Sequence, residues 1–446
     1  ISMSKYSKED ILRMVDEEDV GFIRLQFTDV FGTVKNIAVT AGQLEQALNN
    51  ECSFDGSGID GFVRIEEDDM YLYPDLDSFE IFPWRPQTGK VARLICDIHK
   101  CDGTPFEGDS RYILKRVVRE AAKMGIYPYI APECEFCLFP YDTDGEVMLQ
   151  TQGHGSYFDV APLDTGENVR RDIILALEDM GIDVRSSYHE HSPYQHEIDL
   201  QPVNALAAAD NIVTFRMTCK TIASRHGLHA TFMPKPMNDS DGCGMHLKMT
   251  LMDLEGNNIL SDPADSYGLS ELGYHFMAGI MAHVRGLTAV TNPLVNSYKR
   301  IVPGNEAPAY IVWSSGNRSP LISVPRTSAK DMHIELRNPD PCVNSYLAFA
   351  GIIAAGLEGI KKGLMPQAAT ELNIYRLSEE ECEKLNLKRL PKSLSEAVEE
   401  MEKDSLVMKT LGEYISGKYV RAKRREVSQY QAYVTDWETG QYLNKY

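Results

Sequence analysis

Residues 127–139 read Tyr-Pro-Tyr-Ile-Ala-Pro-Glu133-Cys-Glu135-Phe-Cys-Leu-Phe. The segment alternates with a period of two, which predicts a β-strand with Glu133 and Glu135 projecting from one face. Two carboxylates at that spacing repel each other. A strand tolerates them if water covers them or a cation lies between them. A lone Glu-x-Glu usually marks a solvated sheet face, but here Ile130, Phe136, Leu138 and Phe139 describe a strand with substantial burial. Cys134 and Cys137 have CxxC spacing within the same strand. Their side chains should point to opposite faces, and no second pair completes a zinc site, so neither metal nor redox chemistry is expected of them.

Upstream, residues 8–15 predict a short helix capped by Ser7, followed by strand patterns at 21–28, 33–39, 64–73 and 91–98. This predicts a small β-rich domain over residues 1–104. A turn at 101–105 and a helix from the Asp109 cap to about 123 set the boundary. The remainder, 105–446, alternates strand patterns (127–139, 184–190, 196–202, 229–234, 244–252, 310–314, 332–337) with helical ones (166–181, 205–226, 270–288, 345–362, 394–418). The fold class is therefore α+β, with a large domain of catalytic size.

The 446 residues carry 45 Lys+Arg against 65 Asp+Glu, a net charge of −20. That surplus disfavours a nucleic-acid partner or an anionic membrane surface. Nine scattered cysteines argue against a disulfide framework. No apolar run reaches the ~18 residues of a membrane span, and no signal-peptide pattern opens the chain. The expectation is a cytoplasmic protein.

Several residues join the strand carboxylates as candidates. Glu190 and Glu197 flank a short connection that could return both to one cluster. Gly244-Met245-His246 opens a strand with a glycine-flanked imidazole, and Glu335 and Arg337 share a strand face. Oxygen ligands with a single imidazole suit Mg²⁺ or Mn²⁺ better than zinc or iron.

Longer strings carry a resemblance. They include Phe54-Asp55-Gly56-Ser57, Asp69-Met70-Tyr71-Leu72-Tyr73-Pro74, Pro132-Glu133-Cys134-Glu135-Phe136 and Gln195-His196-Glu197-Ile198-Asp199. Ala230-Thr231-Phe232-Met233-Pro234-Lys235-Pro236, Asn296-Ser297-Tyr298-Lys299-Arg300, Glu306-Ala307-Pro308 and Asn317-Arg318-Ser319-Pro320 continue the series. In this order they make the chain resemble the glutamine synthetase family, specifically its short bacterial type I form, over essentially its full length.

The resemblance implies a small N-terminal β-grasp-like domain plus a large catalytic domain. It also implies a homo-oligomer, a dodecamer of two hexameric rings with active sites between neighbours. The implied reaction is ATP-dependent: glutamate becomes γ-glutamyl phosphate, and ammonia displaces the phosphate to give glutamine. Two to three Mg²⁺ or Mn²⁺ ions would serve each site. By the same resemblance, Glu135, Glu190 and Glu197 hold the ion beside glutamate, and Glu133, His246 and Glu335 hold the ion on the nucleotide phosphates. Arg300 grips the α-carboxylate, Gly242 and Asp241 seat the amino acid, and Tyr157 lies in the ammonium pocket. Arg318 and Arg337 stabilise the transferring phosphoryl group. Asp55 takes a proton from ammonium, reaching in from the adjacent subunit, and Glu306 is the flap acid. Arg318, Lys248, Thr250 and Arg185 are assigned to the nucleotide side. Arg64 matches a feedback position, and no adenylylation of Tyr375 is expected of the short form.

The sequence departs from the family pattern at identifiable positions. Gly58, Asn305 and Tyr194 replace a serine, a tyrosine and a glycine, and Asp241 stands where asparagine is usual. Ser323 and His333 replace cations near the nucleotide, while Arg185 and Lys248 add them and could restore phosphate neutralisation. Three readings result: a glutamine synthetase, a γ-glutamyl ligase for a larger amine such as methylamine, ethanolamine or a polyamine, and a catalytically weak scaffold or regulatory relative.

Overall fold

The computed structural model describes residues 5–59, 68–149, 155–303 and 307–446. Arg64, Asn305 and Glu306 lie outside the described residues, as does the first part of the strand expected at 64–73. The opening helix spans Lys8–Glu17. Ser7 accepts from the Asp10 backbone N–H at 3.1 Å, and the Asp10 carboxylate accepts from the Ser7 N–H at 2.9 Å. This reciprocal cap satisfies two otherwise orphaned donors.

Six strands follow: β1 (Val20–Thr28), β2 (Val34–Thr40), β3 (Cys52–Phe54), β4 (Met70–Pro74), β5 (Glu80–Ile81) and β6 (Lys90–His99). They form a sheet of order β2-β1-β6-β4-β3, with β5 also on β6. The β1–β6 pair is parallel and the other pairs are antiparallel. Ile11 and Val15 of the helix are buried with Ile23, Leu25 and Leu94, giving this unit its own apolar core.

The second sheet contains β7 (Tyr127–Pro140), β8 (Val184–His189), β9 (Gln195–Leu200), β10 (Val203–Asn204), β11 (Leu228–Thr231), β12 (Met245–Met252), β13 (Trp313–Ser314), β14 (Ile322–Ser323) and β15 (Ile334–Leu336). Its order is β13-β14-β15-β12-β7-β9-β8. The long β7 also pairs with β10 and β11. Ile130, Cys134, Phe136 and Leu138 belong to the main core, where Phe136 meets Phe215 and Phe232. Glu133 and Glu135, at alternate positions, are left for the other face. Cys137 and Phe139 share that face in a small apolar cluster with Cys243, so the two cysteines of the CxxC do point apart.

The helices Ser110–Lys123, Ala205–Arg225, Glu271–Thr291 and Ser345–Lys362 contribute to the main core. The expected helix at 394–418 is instead broken, into Leu394–Lys403 and a stretch Ser405–Gln431 that itself kinks at Gly412, where φ is 79°. Asp404 separates them because its carboxylate accepts from the backbone N–H groups of Leu406 and Val407, both at 3.1 Å, and so starts the second helix. Among the described residues, no helix is long and apolar enough to cross a membrane.

Candidate active site

Strand register assembles the site. On β7, Glu133 faces His246 of β12 on one side and Asp199 of β9 on the other, while Glu135 faces Glu197. On β12, Lys248 faces Glu335 of β15. The result is two ligand sets on neighbouring steps of one strand. Glu135, Glu190 and Glu197 offer oxygens that all lie within 4.8 Å of one another, and so do the ligand atoms of Glu133, His246 and Glu335. A third grouping, Glu133, Glu197 and Asp199, bridges them. Sequence reading missed Asp199 as a site residue. Its signal was present, since it lies two residues after Glu197 in the same strand.

The donor chemistry fits hard divalent cations. Burial and the neighbouring Asp199 push Glu133 up to about 7. Burial and Glu190 push Glu135 up to about 8, and burial raises Glu197 well above the carboxylate range. Such crowding is relieved when a cation binds between the oxygens. Burial and the Arg337 guanidinium hold His246 well below its usual value, so its imidazole stays neutral, as a metal ligand requires. Its Nδ1 lies 3.6 Å from Glu335 Oε1 and 3.9 Å from Glu133 Oε2.

Protein cations and donors also reach these carboxylates. Lys248 pairs with Glu133, and Arg337 pairs with Glu335. Glu135 Oε2 accepts from the Gly244 N–H at 2.6 Å and from Gln195 Nε2 at 3.2 Å. Ser186 Oγ donates to Asp199 Oδ2 at 2.5 Å, whereas Asp199 Oδ1 is buried with no hydrogen-bond partner among the described residues.

The cleft above these groups encloses about 530 Å³. Arg185, Lys248, Arg318 and Arg337 line it, as do all six predicted metal ligands. Tyr157 lines it too, stacked on Phe158 and on His191 with ring centroids 3.9 and 4.2 Å apart. Phe158, Tyr188, Asn373 and Tyr375 are further lining residues that sequence reading did not assign. No spacing rule links positions 373 and 375 to a strand more than two hundred residues earlier.

The remaining predicted residues lie elsewhere. Arg300 is buried, donating from Nη1 to the Asn338 carbonyl at 2.9 Å and to Asp340 at 3.2 Å. It packs so tightly beneath Gly242 and Gly244 that a Cβ on Gly244 would stand 2.2 Å from Arg300 Nη2. It is not among the residues lining the cleft, and neither are Asp241, Gly242 and Thr250. Ser192 Oγ donates to Asp241 at 3.3 Å and accepts from its N–H at 2.7 Å. The Gly242 carbonyl accepts from Gln195. Thr250 follows His246 and Lys248 along β12. Asp55 is exposed just after β3, and hydrogen bonds from Ser57 hold its carboxyl below the usual range. Every described residue lining the cleft lies at position 133 or later. Ser323 is buried on β14 opposite Glu335, and His333 Nδ1 bonds the Asp331 carbonyl at 2.7 Å.

A family model described as the glutamine synthetase catalytic domain matches residues 107–442, and one described as the glutamine synthetase beta-Grasp domain matches residues 19–101. The chain belongs to the glutamine synthetase family. A glutamine synthetase of Clostridium saccharobutylicum is 54% identical over 444 residues, covering 100% of both chains. One from Staphylococcus aureus (strain Mu50 / ATCC 700699) is 50% identical over 442 residues, covering 99% of each. Among solved structures, "GmaS/ADP complex-Conformation 1" matches with a TM-score of 0.89 at 30% identity, covering 98% of this chain and 99% of that one. The structure "CryoEM Plasmodium falciparum glutamine synthetase" matches at 0.87 with 25% identity, covering 99% of each. The α+β architecture is that of the family, and membership in the glutamine synthetase family implies use of ATP and divalent metal.

Proposed function

We propose that the protein is a glutamate–ammonia ligase that forms glutamine through γ-glutamyl phosphate. The observation that most supports it is that β7 carries Glu133 and Glu135 into two adjacent ligand sets, in a chain of this family. A carboxylate is a poor electrophile because its leaving group would be oxide, and transfer of the ATP γ-phosphoryl group supplies a better one. Mg²⁺ or Mn²⁺, when bound, offsets the negative charge of triphosphate and carboxylates brought together.

Glu135, Glu190 and Glu197 would hold the ion beside glutamate, and Glu133, His246 and Glu335 the ion beside the nucleotide. Arg318 and Arg337 aim fixed positive charge into the cleft, where it favours the charge that develops on the transferring phosphoryl group. Lys248 and Arg185 would serve the phosphates in place of the cations lost at Ser323 and His333. Arg300, with Gly242 and Asp241 above it, would seat the amino acid. Tyr157, stacked on Phe158 and His191 at the edge of the cleft, would line the ammonium pocket. Asp55, ionised and exposed, would accept a proton from ammonium in a neighbouring subunit's cleft, which makes the working unit a ring oligomer. The chain would divide near residue 104, between the sheet that presents Asp55 and the sheet that holds the ligands.

With Mg²⁺, ATP and glutamate, the purified protein is expected to release phosphate when ammonium or hydroxylamine is added, and little with methylamine, ethanolamine or putrescine. Release driven by a larger amine in place of ammonium would overturn the acceptor assignment, and release with none would overturn the ligase itself. Glu135→Gln is expected to abolish release.

A further inference from the structure

Lys248 has two possible partners, and the structure displays one of them. It alternates along β12 with the buried Leu247 and Met249, which puts its stem on the same face as His246. Its ammonium pairs with Glu133 Oε1, with the two side chains only 18% and 11% exposed. Three carboxylates converge here: Glu133, the facing Asp199, and Glu335 across β12. Arg337 compensates Glu335, and Lys248 compensates Glu133. The same ammonium lines the cleft with Arg185, and both raise the positive potential at His333. A compact charge on a four-carbon stem can change partners without moving its strand.

We propose that Lys248 is an exchangeable counter-cation. In the nucleotide-free protein its ammonium competes with a divalent ion for Glu133, and on nucleotide entry it transfers to a phosphate oxygen, freeing Glu133 for the ion. This rests on the reading of Glu133, His246 and Glu335 as the nucleotide-side metal set. Like charges on one carboxylate oxygen exclude each other, whereas an ammonium drawn to the triphosphate favours both ion and nucleotide. Metal and nucleotide binding are therefore positively linked, and the linkage is reciprocal. The set built on Glu135, Glu190 and Glu197 pairs with no lysine or arginine among the described ion pairs, so removing Lys248 acts on only one of the two ions.

The test is direct Mn²⁺ binding to the full chain, followed by electron paramagnetic resonance of the free ion, with and without a non-hydrolysable ATP analogue. In the unaltered protein, the analogue should tighten one of two Mn²⁺ ions by about tenfold or more. In Lys248→Gln, that ion should bind about tenfold more tightly without the analogue, the analogue should tighten it further by clearly less than in the unaltered protein, and analogue affinity should fall. Lys248→Arg keeps the charge and should retain the linkage, which separates charge exchange from a packing defect. An unchanged Mn²⁺ isotherm and linkage in Lys248→Gln overturn the proposal. Glu335→Gln serves as the control for the underlying reading. Loss of one Mn²⁺ per chain upholds the metal set, and retention of both overturns that set and the proposal with it.

Discussion

At the level of single residues, the site depends on close approach as much as on charge. Gly244 gives its N–H to Glu135 and lies against the Arg300 guanidinium, with no room for a side chain between them. Gly244→Ala must therefore displace either the Arg300 head or the backbone that orients Glu135. A shift of this kind near reacting groups costs on the order of 10²-fold in turnover. Phosphate release and circular dichroism measured together check this. A folded Gly244→Ala protein with unimpaired release would refute the role given to the contact. Chemistry at this scale was partly legible in sequence. Period-two spacing exposed Glu133 and Glu135, position beside strand ends and glycines singled out Glu190, Glu197, His246 and Glu335, and the resemblance divided the six between two ions. Asp199 obeyed the same spacing and was overlooked because the resemblance gave it no role. The partners of Arg300 were invisible, because Asn338, Asp340 and Gly244 become its neighbours only through folding.

Elements with strong local signals were read well: the Ser7 and Asp109 caps, the strand patterns of β1, β6, β7 and β12, and the helix Ser345–Lys362. The sequence between 394 and 418 misled because the break at Asp404, which caps a new helix, and the kink at Gly412 both depend on backbone geometry. Asp404 is also held from outside. His283 of the helix Glu271–Thr291 bonds Asp404 Oδ2 through Nδ1 at 2.8 Å and Glu358 Oε2 through Nε2 at 2.5 Å, tying three helices together. Hydrogen bonding to Asp404 raises the His283 pKa against the opposing effect of burial. A pKa raised by folding gives stability that is fully present below the unfolded value of about 6.5 and is lost as pH rises through the folded value. His283→Gln should therefore lower stability near pH 6 and change it much less near pH 9. Urea melts of both proteins at the two pH values measure the difference, and an equal loss at both would contradict the ionic account.

In the whole molecule, the first sheet meets the helices Ser110–Lys123 and Ala205–Arg225 at a buried polar junction. Arg111, 3% exposed, makes four hydrogen bonds, two to Asp210 and one each to Asp75 and Asp97. Asp210 also accepts from the Tyr346 hydroxyl at 2.6 Å. Removing the cation would leave Asp210 and Asp75 without their ion-pair partner, while Asp97 keeps Lys115, so Arg111→Met is expected to cost about 3–5 kcal/mol in urea unfolding. A loss below about 1 kcal/mol would mean that water enters and replaces it. Nothing in the sequence marked this junction, since Asp75, Asp97, Arg111 and Asp210 share no periodicity and no motif. Nor does one chain assemble a full site, if Asp55 serves a neighbour. The character of the junction bears on that arrangement. An apolar seam resists separation but slides, whereas a planar guanidinium held on several sides resists rotation. Arg111 thus sets an angle between the unit that carries Asp55 and the larger unit, which in the proposed ring would receive a neighbour's. In a closed ring, any error in that angle is repeated at each interface until the last subunit no longer meets the first.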